Sequence, residues 1–387
     1  MLETAADRSA SARAGDVLCD LVRIDSRNPQ LVPGAPGEAA IAAWCVDWLV
    51  RHGVDAWLDE VQPRRTNAVA RVAGAADGGP TLVFCAHLDT VAFDGMAIPP
   101  LDPRVESGRV YGRGAYDMKS GVAAILLALA ALARRPPRGT VMAALVCDEE
   151  YASIGAAHFA ARYPADGCIV TEASEGRLIL AHKGFVWAEI ETQGVAAHGS
   201  RWEEGASAIG RMGHVITALE DFDVRVLRAR THPLTGPASL HCALITGGDG
   251  WSTYAPRCTL RVERRTLPGE SADAVLAELS AVVARAGVPA EVRLVLARSP
   301  LECPADSRLA ADVRAAATEL AGTPPADAGV AYWMDAAIFA DAGIPTVDYG
   351  PTGAGAHAAV EWVELDSVVR CARVLERAAR RFLSGTD

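Results

Sequence analysis

The residues best able to do chemistry in this chain are imidazoles and carboxylates that sit where short apolar runs stop. His87 and Asp89 follow the run 81–86, Glu149 and Glu150 follow 140–147, and Glu172 follows 168–170. Asp117 lies in Gly112-Arg113-Gly114-Ala115-Tyr116-Asp117, and His357 comes directly after Gly353-Ala354-Gly355-Ala356. Nitrogen and carboxylate donors without thiolate suit zinc, cobalt or manganese in a hydrolytic site. Five such ligands from these segments are more than one catalytic zinc needs, whereas two ions sharing one carboxylate use all five. Asp117, the lone carboxylate of a glycine-rich turn, is the best candidate for the shared group.

Strands must deliver these groups. The apolar runs read as buried strands, each ending in its acid or imidazole at the carboxyl end, where open α/β sheets place their sites. A spacing of two sets His87 and Asp89 on one face. One buried histidine or one loop carboxylate is ordinarily structural; a succession of strands that all stop at such a residue is not.

The stretches His87-Leu88-Asp89-Thr90-Val91, Gly112 through Gly121, Asp148-Glu149-Glu150 and Thr171-Glu172 resemble the di-zinc aminoacylase and carboxypeptidase G group of metallopeptidases. Within that group the chain is most similar to the acetylornithine deacetylase and succinyl-diaminopimelate desuccinylase branch. The likeness runs from about residue 80 to the C-terminus, with Ala173 standing where many relatives carry proline. It implies two zinc ions per chain, replaceable by cobalt, with His87 and Glu172 on one, Glu150 and His357 on the other, and Asp117 between them. Asp89 is expected to hold the second nitrogen of His87, as metal-bound imidazoles require. Glu149 is left free of metal, to take a proton from metal-bound hydroxide's parent water and return it to the leaving amine.

The resemblance also implies that His198, in Gly194-Val195-Ala196-Ala197-His198-Gly199-Ser200, reaches the neighbouring subunit's site as an oxyanion donor. Arg265 resembles the arginine that clamps the substrate carboxylate with paired donors, and Arg264 is the alternative. Ser252-Thr253 stand where relatives often carry asparagine. Asp335 is expected to orient His357 or to cap a helix, and His182 marks the hinge into a lid. Histidines 158, 214, 232 and 241 read as structural, and Trp187, Trp251, Trp333 and Trp362 as core sooner than as lining of an acyl pocket.

Composition sets the frame. At 387 residues, half of them hydrophobic, the chain exceeds one ordinary core. A formal net charge of −11 argues against nucleic acid or an anionic membrane as partner. Nine cysteines, odd in number and without a C-x-x-C pair, suit reduced buried thiols and a cytoplasmic location. Residues 1–13 lack an apolar core, so no signal peptide is expected, and the apolar stretch 122–133 is too short to span a bilayer and suits a buried helix.

Up to Lys183 strands and helices alternate. From Gly184 the pattern becomes a strand 185–192, a helix near 205–219, strands 238–246 and 259–265, a helix 272–286 and a strand 291–297, a βαββαβ order. After Pro304 a helix through Leu320 and an apolar segment 344–347 resume the first pattern. The expected fold is therefore α/β: an open mixed-sheet catalytic domain of the zinc-peptidase kind with helices on both faces, 1–183 and 298–387, interrupted by a small two-layer α+β domain, 184–297. The family likeness makes the insert a lid and a dimerisation surface. The function implied is hydrolysis of the amide of an N-acyl amino acid or small dipeptide by a homodimer. A binding module that had lost catalysis would lack Glu149 or a ligand, and none is missing.

Overall fold

A computed structural model describes residues 5–74 and 79–384; residues 1–4, part of the segment read above for a signal peptide, lie outside them. The apolar runs form the centre of a mixed sheet. Thr81–His87 lies between two parallel neighbours, Thr140–Val146 and Gly167–Val170, and Thr346–Asp348 continues parallel beyond the latter. On the other side Arg65–Val72 pairs antiparallel with Thr140–Val146, and Asp55–Gln62 antiparallel with Arg65–Val72. Side chains alternate between faces along a strand, yet every residue from Leu82 to His87 is buried, so both faces are covered.

Two groups of helices provide the cover. Lys119–Arg134, Leu365–Leu383 and Ala5–Arg23 pack together, and Ile154–Arg162 packs with Ala336–Asp341, where Phe159 and Phe339 meet with ring centroids 6.1 Å apart. The stretch 122–133 is the buried helix its composition suggests. Among the described residues no helix is long and apolar enough to cross a membrane, and all nine cysteines are free.

The chain divides into two compact units. The first comprises Met1–Leu180, Cys303–Ala328 and Met334–Asp387; the second comprises Ala181–Glu302 and Gly329–Trp333. Residues 329–333, which sequence pattern leaves in the catalytic domain, cluster with the second unit, where Gly329 lies so close to Leu234 that a Cβ would meet it at 2.8 Å.

In the second unit the four-stranded antiparallel sheet runs in the order Ser239–Gly247, Arg257–Thr266, Gly184–Gln193, Ala290–Arg298. Helices Ala208–Arg225 and Ala272–Arg285 bring Met212, Leu219 and Leu279 against Val186, Ile190, Leu260 and Val262 to make the core. The first helix begins later and ends later than 205–219. Gly205 packs on the Tyr254 ring, Ser207 accepts the Gly210 amide as N-cap, and Phe222 extends the apolar stripe by another turn. The opposite sheet face carries cross-strand ion pairs, Glu189 with Arg261 and Arg293, and Glu191 with Arg257. Trp251, read as core sooner than as lining of an acyl pocket, is fully exposed, on a loop, 248–251, that contains two glycines and an aspartate.

Candidate active site

Strand order explains why residues far apart in sequence meet. The parallel strands ending at Val146, His87 and Val170 lie side by side, so Glu149, Glu150, His87 and Glu172 leave the sheet at one edge. The next parallel strand, Thr346–Asp348, leads through a glycine-containing loop to His357, itself in left-handed backbone at φ 57° after Gly355 at φ 92°. Asp117 enters from the turn ahead of the helix Lys119–Arg134.

All of these side chains belong to the first unit, and they face one another. His87 Nε2 lies 3.2 Å from Asp117 Oδ1, 3.4 Å from Glu172 Oε1 and 3.9 Å from Glu149 Oε2. His357 Nε2 lies 3.2 Å from Asp117 Oδ2 and 3.1 Å from Glu150 Oε2. Asp117 thus presents one oxygen to each imidazole. Among the described residues two groups have ligand atoms all within 4.8 Å of one another: His87, Glu149 and Glu172, and His87, Asp117 and Glu150. Glu149, which sequence reasoning leaves outside the ligands, therefore stands close enough to His87 and Glu172 to count geometrically among them.

Electrostatics follow from this crowding. Burial pushes the Glu172 carboxyl up to about 8, and burial likewise raises Glu149 and Glu150. Burial opposes the His87 cation as well, yet Glu172, Asp117 and Asp89 outweigh it and hold its pKa well above the usual imidazole range. Hydrogen bonds to Asp117 and Glu150 push His357 up to about 10. Burial works against ionisation of Asp117, but His357 and His87 hold its carboxyl well below the ordinary range. The nearby lysine offers no relief, because Lys119 Nζ donates instead to the Ile24 carbonyl at 2.8 Å. A set of oxygen and imidazole donors short of positive charge, buried at His87 and Glu172 and open to solvent at His357, with one carboxylate facing both ways, fits two divalent cations.

The surrounding hydrogen bonds hold residues that sequence reasoning missed. Glu361, wholly buried, takes Arg113 Nη1 at 2.7 Å and the amides of Gly114, Tyr116 and Asp117 at 2.9–3.0 Å, which fixes the Asp117 turn. An acid between Val360 and Trp362 shortly after His357 was the available signal. Asp89 does not hold His87 in the expected way. The acceptor nearest His87 Nδ1 is the Asp89 carbonyl at 3.0 Å, while its carboxylate stands 3.6 Å off and receives the amides of Glu149 and Glu150 at 3.1 Å each. Asp335 is buried at the start of Ala336–Asp341 and makes no side-chain cap hydrogen bond there.

His198 and Arg265 lie in the second unit. His198 is exposed, and its Nδ1 accepts the Ser200 amide at 3.2 Å, which leaves Nε2 to carry the proton as a donor. Arg264 is wholly buried and donates to Glu270 at 2.6 Å, a structural tie from its strand to the turn that follows. Arg265 keeps part of its guanidinium accessible, paired through Nε with Glu263 at 2.7 Å and lying over the Phe185 ring at 5.5 Å. His182, also in this unit, is fully buried beside the edge of Trp333.

Residues 83–381 match the peptidase family M20/M25/M40. Over 339 residues the chain is 29% identical to acetylornithine deacetylase from Myxococcus xanthus, covering 85% of this chain and 87% of that protein. It is similar in fold to aminopeptidase PepT from Bacillus cereus, with a TM-score of 0.77 at 20% identity over 96% of this chain and 98% of that one. It is also similar in fold to the YXEP protein of Bacillus subtilis, a dinuclear metal-binding peptidase, with a TM-score of 0.73 at 16% identity over 97% of this chain and 99% of that one. The family match spans most of the chain and takes in the whole cluster around Asp117, so the chain belongs to the M20/M25/M40 peptidase family and is a metal-dependent amidohydrolase.

Proposed function

We propose that the chain removes the acyl group from an N-acyl amino acid, as a deacylase of the acetylornithine deacetylase kind. The observation that carries this reading is Asp117, which offers one oxygen to each of two imidazoles, with the acid Glu149 beside His87. His87 and Glu172 would hold one zinc ion, Glu150 and His357 the other, and Asp117 both; cobalt would substitute. When bound, such ions supply Lewis-acid chemistry, acidifying a water and polarising a carbonyl. Glu149 takes one proton from the attacking water at its carboxylate. The water oxygen adds to the amide carbon, the C–N bond breaks, and Glu149 returns the proton to the departing nitrogen, giving a carboxylic acid and an amine. Its raised pKa suits a group that must both accept and give a proton.

His198 Nε2 donates to the carbonyl oxygen across a homodimer, in which the second unit acts as lid and contact surface. Arg265 pairs with the α-carboxylate, its fork of donors matching two oxygens. Reduced free thiols throughout support a cytoplasmic setting. The same residues would serve a dipeptidase, a reading favoured by the peptidases that share the fold.

A panel of N-acyl amino acids and dipeptides, each as free acid and ester, assayed with zinc- or cobalt-loaded protein, tests both readings. Turnover of N-acyl amino acids over dipeptides, with the free acid favoured roughly ten- to a hundredfold, is expected from a charged hydrogen-bond pair. Preference for dipeptides would establish the rival, and equal rates for acid and ester would discard the role of Arg265.

A further inference from the structure

The turn that carries Glu149 and Glu150 is held from outside by residues far away in sequence that the reaction as described does not use. Arg65 begins the strand Arg65–Val72. The register that pairs Ala68 with Leu145 and Ala70 with Ala143, continued past the strand end, sets Arg65 opposite Asp148. Its buried guanidinium is engaged twice. Nε and Nη2 donate to the two Glu38 oxygens at 2.9 and 2.7 Å, and Nη2 also donates to Asp148 Oδ1 at 2.6 Å.

Asn28 adds the next link. Its Nδ2 donates to Asp148 Oδ1 at 3.0 Å and to Asp89 Oδ2 at 2.8 Å, while its Oδ1 accepts the Gln30 amide at 2.9 Å, so both ends of the side chain are fixed. Asp89 then receives the amides of Glu149 and Glu150 through its carboxylate and faces His87 Nδ1 through its carbonyl. An unbroken buried chain therefore runs from Glu38 through Arg65, Asp148 and Asn28 to Asp89, and ends on the backbone of both glutamates and on the ring of His87.

Asp148 is the pivot. It stands in left-handed backbone at φ 73°, and its carbonyl accepts the amides of Ala152 and Ser153. A non-glycine residue keeps that conformation only where its surroundings over-determine it. Stability does not account for the arrangement, since an apolar cluster of the same volume would avoid the desolvation of these charges. Position does account for it, because a reacting group must be held within a fraction of an ångström by partners that are themselves locked.

We propose that Asn28 and Arg65 are positioning residues for hydrolysis, fixing the Glu149 carboxylate relative to His87 by locking the Asp148 turn to Asp89. The inference rests on the proton-carrying role given to Glu149 above, and the test separates the two. Hydrogen exchange at the amides of Glu149 and Glu150 reads the clamp without any assay of activity. In Asn28→Ala these amides should exchange at least about tenfold faster while the central strands keep their protection.

Metal content, by elemental analysis, and KM should stay near those of the unmodified enzyme, whereas kcat should fall roughly ten- to a hundredfold, the scale of a small misplacement. Arg65→Lys, which keeps the charge and loses the fork, should fall between the two. Adding Asn28→Ala to Glu149→Gln should cost less than about threefold more, because the group being positioned is already gone. Unchanged exchange at the two amides, or losses that multiply in the double variant, would overturn the proposal. Full activity in Glu149→Gln together with accelerated exchange in Asn28→Ala would instead remove the proton-carrying role and leave the clamp standing.

Discussion

Two buried histidines, one in each unit, are driven in opposite directions by their neighbours. His87 is 2% exposed and faces Asp117, Glu149 and Glu172, which hold its pKa well above the ordinary value despite burial. His182 is 0% exposed; burial lowers its pKa to about 4, Nδ1 stands 2.9 Å from the Lys183 carbonyl, and among the described residues no acid lies against it and Nε2 has no hydrogen-bond partner. The same side chain at the same depth is a cation-seeking group in one place and a neutral packing element in the other. What differs is the density of carboxylates, and a cluster that dense marks a candidate functional site.

The charged face of the second unit extends the contrast. Glu189, Glu191 and their arginine partners pair across strands at the surface, where water screens them and each pair contributes little. In the first unit the site acids instead crowd two imidazoles, Asp117, Glu149 and Glu172 around His87 and Asp117 and Glu150 around His357.

The sharpest way to break this comparison is to neutralise one site acid at a time. Glu149→Gln should keep both metals and KM while lowering kcat by roughly 10²–10⁴, the usual scale for a general base. Glu150→Gln should instead lose metal, measured by elemental analysis after dialysis. Identical behaviour of the two variants would erase the distinction drawn between them.

A smaller effect tests His182. Its native pKa lies below the unfolded value, so its contribution is fully present above about pH 6.5 and is lost as pH falls toward about 4, by at most about 3 kcal/mol. Urea unfolding of the unmodified protein and of His182→Gln at pH 7 and pH 4.5 should show the unmodified protein losing more stability on acidification. Parallel losses would mean that His182 gains a partner or water in the native state.

The smallest effect belongs to the surface ladder. Arg261→Ala should change unfolding free energy by no more than about 0.5 kcal/mol and leave kcat unaltered. A larger loss would show that the open sheet face is covered in solution, as a dimer contact would do.

How far all this is legible in the sequence depends on distance along the chain. The ligand candidates are legible because each follows its own strand within a few residues, and the βαββαβ order of the second unit follows from local periodicity. Glu361, Arg65 and Asn28 are not, since their use depends on which strand lies beside which and in what register. The carbonyl of Asp89 takes the place expected of its carboxylate for a similar reason: the carboxylate is claimed by amides 60 and 61 residues away. Trp251 shows the reverse failure, where a large apolar residue suggested a core that its loop cannot reach.

The central claim is that Asp117 serves two metal ions at once, one oxygen to each imidazole-bearing half of the site. Titration of zinc into metal-free protein, followed by calorimetry and elemental analysis, tests it most directly. Two equivalents per chain should bind, activity should require both, and Asp117→Asn should weaken both together. Full activity with a single equivalent, or loss of only one ion in Asp117→Asn, would contradict it.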